Sequence, residues 1–156
     1  MMTPGVQQVK RAGVAHTVHE YDHDPSSAAY GREAAQKLGL PEGRVFKTLV
    51  VSLDGAGLAV AVVPVSSMLN MKGIARAAGA KKAAMADKAL VERTTGYVLG
   101  GVSPLGQRRR LTTYIDDSAQ GFPTMFVSAG RRGLQIELSP RDLARLTQAR
   151  FFPLCQ

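Results

Sequence analysis

The apolar positions of the chain follow two periods. Val6 and Val9 recur three apart behind Thr3-Pro4 and ahead of Gly13: a threonine to cap, a proline preset for the first helical position and a glycine stop, which together predict a short helix. His16 to Tyr21 reads as extended. Ser26 or Ser27 then offers a cap for a helix carrying Ala34, Ala35 and Leu38 up to Gly39. Val45 to Leu53 and Leu58 to Val63 are valine- and leucine-rich runs joined by Asp54-Gly55-Ala56-Gly57, which predicts a β-hairpin. Asn70 and Asp87 are placed to cap helices over Met71 to Ala78 and Lys88 to Thr94, each stopped by a glycine, with a short basic link between them. Tyr97 to Leu99, Leu111 to Ile115, Thr124 to Ser128 and Leu134 to Leu138 read as strands, the last two joined through Ala129-Gly130-Arg131-Arg132-Gly133. Ser139-Pro140 with Asp142 starts a final helix whose apolar face holds Leu143 and Leu146. With neither an internal repeat nor a linker, these elements predict a single α+β domain over residues 1–156.

Composition narrows the setting. The longest apolar run, Leu58 to Val65, is interrupted by Pro64 and falls far short of the roughly 20 residues a membrane-crossing helix needs, so it reads as a buried strand. The N-terminal stretch has polar residues every few positions and offers no signal-peptide core. The lone cysteine, Cys155, has no partner in the chain for a disulfide, and a reducing, cytoplasmic setting is expected. The formal net charge of +8 attracts polyanions, nucleic acid first. Its clustering supports that reading: Lys81-Lys82, Arg108-Arg109-Arg110 and Arg131-Arg132 sit in or beside glycine-containing turns, suited to holding phosphates.

Two segments carry candidate chemistry. In the strand from Val45, Lys47 falls on the same face as Val45, Leu49 and Val51, because side chains alternate. A lysine in an apolar row either snorkels to solvent over its own stem or faces a pocket, where it meets a carboxyl, phosphate or ester oxygen. Gly96 to Gly106 contains four glycines, which suits either close approach of backbone N–H groups to a ligand or a strand broken by a bulge and a turn. The spacing is neither that of a P-loop nor that of a dinucleotide fingerprint, so no cofactor is expected. Ser103 and Ser128 lack a G-x-S-x-G elbow. His16, His19 and His23 lie on an extended segment where they do not converge on a metal, and none is expected. Gly130-Arg131-Arg132-Gly133 has the letters of an RNA-clamping G-x-x-G loop but sits between strands, and reads as a basic hairpin turn. Tyr21, Tyr30 and Tyr114 are candidates either for stacking a terminal base or for packing.

The K-T-L strand at Lys47-Thr48-Leu49, the Ala59 to Pro64 run, the segment from Gly96-Tyr97 through Gly106 and the hairpin from Val127-Ser128 to Glu137-Leu138 resemble those of the YbaK family of bacterial Cys-tRNA(Pro) deacylases, nearly end to end. That family includes the editing domain inserted in many bacterial prolyl-tRNA synthetases. The resemblance implies a mixed, β-barrel-like sheet surrounded by helices, with a pocket for the aminoacyl end of tRNA. Within it Lys47 would be the central lysine, Thr48 its neighbour, and Gly100 and Gly101 the backbone beside the ester. Tyr21, Tyr30, Ser128, Gly130 and Gln135 would line the pocket, and Lys81, Lys82, Arg108, Arg109, Arg110, Arg131 and Arg132 would hold the tRNA.

Cysteine and proline are close in volume, and a small pocket separates near-isosteres by only about 1–3 kcal/mol, so a hydrolytic second sieve is needed. The resemblance further implies attack by the substrate's own thiol on its ester, and association with prolyl-tRNA synthetase. Close members often carry an aspartate where this chain has Gln135. An amide there accepts a hydrogen bond but does not neutralise an ammonium. Two other readings stay open: a tRNA- or synthetase-binding module without strong catalysis, and a deacylase for another small amino acid such as alanine.

Overall fold

The computed structural model describes residues 2–156. In chain order the elements are α1 (Pro4–Ala12), β1 (His16–Glu20), α2 (Tyr30–Leu38), β2 (Phe46–Leu53), β3 (Gly57–Pro64), α3 (Met71–Ala78), β4 (Ala83–Met85), α4 (Lys88–Thr95), β5 (Thr112–Asp116), β6 (Met125–Ser128), β7 (Leu134–Leu138), α5 (Pro140–Thr147) and β8 (Arg150–Phe152), with single 3-10 turns at Glu42–Arg44 and Asp117–Gly121.

Local chemistry sets most of the helix ends. Thr3, Asn70, Asp87 and Ser139 each accept a hydrogen bond from an N–H of the first turn, and Gly13, Gly39, Gly79 and Gly96 close their helices in the left-handed conformation. The expected serine cap of α2 is absent. Its N-cap is Ala29, with no side-chain bond, because Ser26 is held by Asp24, whose Oδ1 accepts from both the Ser26 N–H and hydroxyl.

The strands form two sheets, ordered β1-β7-β6 and β4-β2-β3-β5-β8. β2–β3 and β6–β7 are the two expected hairpins, while β3–β5 and β5–β8 pair in parallel. The sheets are not closed into a barrel; they meet at a single parallel bridge between Val45 and Phe126. Two short strands went unread in the sequence. β4 lies in the basic link and borrows pairing from the far end of β2, and β8 adds to the edge of β5. Conversely, Tyr97 to Leu99 is not a strand but the start of a loop. Tyr97 is buried there with its hydroxyl donating to the Leu105 carbonyl at 2.6 Å, which pins the loop's two ends together.

The main core lies between the sheets and helices α1 and α5, around Val60, Ile115, Val127 and Leu143. A second core beneath α3 gathers Val51, Ala61, Ile74 and Leu154. A third small cluster, Ala34, Ala35, Val45, Val65 and Phe126, seats α2 over the junction of the two sheets. That junction positions the site.

Candidate active site

A cavity of about 380 Å³ opens beside the Val45–Phe126 bridge. β2 contributes Lys47, Thr48 and Leu49; α2 and its approach contribute Ala29, Tyr30, Gly31 and Arg32; the three-stranded sheet contributes Ser128 and Gln135; and Leu99, Gly100 and Val102 come from the glycine-rich loop. Tyr21 completes the wall at the end of β1, where its N–H donates to the Gly133 carbonyl.

Some polar groups of the wall are engaged elsewhere in the fold, and others are not. The Ser128 hydroxyl oxygen accepts from the Gly130 N–H at 3.2 Å. By contrast Thr48 Oγ1 and Gln135 Oε1 are buried without a hydrogen-bond partner, the whole Gln135 residue being only 7% exposed. Burying such a group unpaired costs about 1–3 kcal/mol, a penalty a bound donor relieves. The Gly100 N–H has no acceptor among the described residues either. No carboxylate lines the cavity, whose charged side chains are Lys47 and Arg32. Burial pulls the Lys47 ammonium below the ordinary lysine value; Arg32 nearby adds to the depression, and the Cys155 thiol opposes it. Burial also raises the Tyr21 phenol above its ordinary value.

The structure therefore brings Lys47, Thr48, Tyr21, Tyr30, Gly100, Ser128 and Gln135 to one cavity. It sets Gly101 and Gly130 outside that wall. Gly101 packs on the Arg131 backbone and its N–H donates to the Val98 carbonyl at 2.9 Å, while Gly130 lies against Tyr97 and Thr3. Ser103 is fully buried, its oxygen accepting from the Leu105 N–H, and His19 and His23 are paired with Glu137 and Glu33, so neither serine nor histidine forms a nucleophilic triad. Arg32, Leu99 and Val65 also line the cavity and were not singled out from the sequence. Leu99 at least lay inside the glycine-rich segment, but nothing local marks Arg32 or Val65.

The cations divide. Arg131 and Arg132 stand at the cavity end of the molecule: Arg131 pairs with Glu20 at 3.3 Å, and Arg132 lies over the Tyr30 ring at 4.3 Å. Arg108, Arg109 and Arg110 are exposed just past α4, where the Arg108 and Arg109 N–H groups donate to Thr95 and Thr94. Arg110 lines a second cleft of about 320 Å³, with Arg11 of α1. Lys81 and Lys82 precede β4, which pairs with the Leu53 end of β2, six strand steps or about 20 Å from Lys47.

Residues 24–146 match the model of the aminoacyl-tRNA editing domain. The chain belongs to that family. Members of the aminoacyl-tRNA editing family similar to it include the candidate Cys-tRNA(Pro)/Cys-tRNA(Cys) deacylase EbsC of Enterococcus faecalis, 38% identical over 96% of this chain and 90% of that protein. A solved structure described as a candidate trans-editing enzyme for prolyl-tRNA synthetase superposes with a TM-score of 0.84 at 25% identity, over 100% of this chain and 99% of the other. A hypothetical protein, APE2540, superposes at 0.86 with 26% identity over 99% and 100% of the two chains. The editing family acts on aminoacyl esters of tRNA, and the protein is an aminoacyl-tRNA deacylase by family. Among the described residues no helix is long and apolar enough to cross a membrane.

Proposed function

We propose that the protein is a trans-editing deacylase that removes cysteine from mischarged Cys-tRNA(Pro) in the cytoplasm, working beside prolyl-tRNA synthetase. The observation that carries this reading is that Lys47 and Gly100, whose N–H has no acceptor among the described residues, line the same cavity. Both suit the oxygen of an ester carbonyl as it takes on negative charge, and preorganised donors of that kind are worth about 2.7–4 kcal/mol each. Tyr21 and Tyr30 would wall the aminoacyl group, with Thr48 and Gln135 accepting from its amino group.

The wall offers hydroxyls and the Lys47 amine but neither a cysteine nor a histidine, and in line with the family resemblance the attacking group is assigned to the substrate. The cysteine sulfur, after losing its proton to solvent, attacks the ester carbonyl. A carbon–sulfur bond forms as the bond to the ribose oxygen breaks, and that oxygen leaves with a proton from solvent, giving a thiolactone and uncharged tRNA. The chain supplies orientation, which can itself lower a barrier by about 7–11 kcal/mol when the attacking geometry is held. The exposed arginines would hold the tRNA through phosphates.

The test is release of labelled amino acid from Cys-, Ser- and Ala-tRNA(Pro) by wild type and Lys47→Ala. Release confined to the cysteinyl ester and lost in the variant supports the proposal. A second reading, a deacylase for another small amino acid using water, follows from the neutral Gln135 in the wall, which does not neutralise a substrate ammonium; release of alanine or serine at the cysteine rate would establish it instead.

A further inference from the structure

The Leu99–Gly100 peptide is gripped by one side chain, and the peptide before it by another. Its carbonyl oxygen accepts from Arg132 Nε at 3.1 Å and Nη2 at 2.6 Å, and the Leu99 N–H on the preceding peptide donates to Glu92 Oε2 at 2.9 Å. The Arg132 guanidinium is itself laid over the Tyr30 ring, its carbon 4.3 Å from the centroid. Gly100 lies directly beneath this stack: a Cβ there would sit 2.5 Å from Arg132 Nε and 2.9 Å from the Tyr30 ring.

Val98 to Gly101 form a β-turn closed by the Gly101 N–H on the Val98 carbonyl, and Gly100 in its third position has a φ of +88°, the value a type II turn requires there. Type I and type II turns differ by rotation of their central peptide, here Leu99–Gly100. Burial does not hold this turn, because Val98 and Leu99 are 59% and 46% exposed. A trans peptide is planar, with its C=O and N–H opposed. A grip on the Leu99 oxygen therefore fixes the direction of the Gly100 N–H, a donor with no acceptor among the described residues on a residue that lines the cavity.

We propose that Arg132 is a positioning residue, a latch that selects the rotation of the Leu99–Gly100 peptide and so presents the Gly100 N–H to the ester oxygen, and that it is not a phosphate contact. Arginine suits the task because its planar fork places two donors on one oxygen while stacking on an aromatic face; a lysine carries the same charge without the fork. The catalytic consequence rests on the deacylase reading; the latch itself does not.

Charge-conserving substitution separates the two roles. Arg132→Lys is expected to lower kcat on Cys-tRNA(Pro) by about 10–100-fold, short of the roughly 10²–10³ for loss of a whole oxyanion donor, with KM and the salt dependence of KM unchanged. Retention of wild-type kcat by Arg132→Lys, with Arg132→Ala raising KM and reducing the log–log salt slope by about one, would overturn the proposal in favour of a phosphate contact. A second readout needs no activity: amide resonances of Leu99, Gly100 and Gly101 in the isotope-labelled protein should be single in wild type and shifted or exchange-broadened in Arg132→Lys. Unchanged resonances would likewise overturn the latch. Failure of the wild type to deacylate any ester would count against the deacylase reading alone, leaving the resonances to decide the latch.

Discussion

Lys47 and Ser128 each stand two residues beyond the Val45–Phe126 bridge, on strands that leave it in the same direction. Side chains two apart share a face. β2 then follows β3, with Lys47 opposite Val63, whereas β6 follows β7, with Ser128 opposite Gln135; the cavity occupies the gap where the two strands part. Phe126 is buried at the bridge itself, with Arg44 over its ring at 5.2 Å and the His19 ring at 5.3 Å. Phe126→Ala is expected to cost about 3–5 kcal/mol in denaturant unfolding, since it empties a buried position at the junction of the sheets.

Lys47 should limit activity on the alkaline side. Its ammonium is held below the ordinary lysine value of 10.5, chiefly by burial, so the charged form declines at a lower pH than for an exposed lysine. A pH–rate profile of single-turnover deacylation should show an alkaline limb below that value in wild type and none in Lys47→Arg, whatever activity the arginine retains. A common limb in both would assign it to the substrate.

Gln135→Leu is expected to move stability and activity in opposite directions. It removes a buried acceptor that has no partner in the free protein, so the melting temperature should hold or rise, while kcat/KM falls by about tenfold, the worth of one good hydrogen bond. Equal losses of both would mean that the side chain acts through packing alone.

Gly100→Ala should damage both the turn and the activity. The position combines a φ of +88° with a Cβ site only 2.5 Å from Arg132 Nε, and strain of this kind costs about 1–3 kcal/mol. Thermal unfolding should show that loss, and activity should fall further than stability does, because the turn must shift to make room.

Asp116 ties the C-terminal segment down, accepting from the Leu154 N–H at 2.8 Å and the Ser118 N–H at 3.1 Å. Burial by itself would raise its carboxyl; the hydrogen bonds from Ser118 and Leu154 outweigh this and hold it below 3.8. A depressed carboxyl contributes stability that is complete above its unfolded value and disappears as pH falls through the lower, folded one. Unfolding free energies should therefore drop below about pH 4 in wild type, with a shallower slope in Asp116→Asn.

How far the sequence reached can be traced to the range of the forces involved. Thr3-Pro4, Asn70, Asp87 and Ser139-Pro140 announce helix starts because a cap and its N–H lie two or three residues apart, and the β2–β3 and β6–β7 hairpins are announced by their turns for the same reason. Lys47, Gly100, Ser128 and Gln135 could be named from their motifs, but not the free N–H of one glycine beside the spent N–H of the next. Where short-range signals compete, tertiary contacts decide: Asp24 takes the serine that would have capped α2, and Tyr97 is drawn out of a strand to meet Leu105. The pairing of β4 and β8, the parallel β3–β5 ladder and the bridge that opens the cavity join residues up to 81 positions apart, as in Val45 and Phe126. The sequence by itself determined the elements and the chemical groups available. Only the tertiary structure decided which of those groups face one another, because long-range pairing depends on burying whole faces together, which no local pattern encodes.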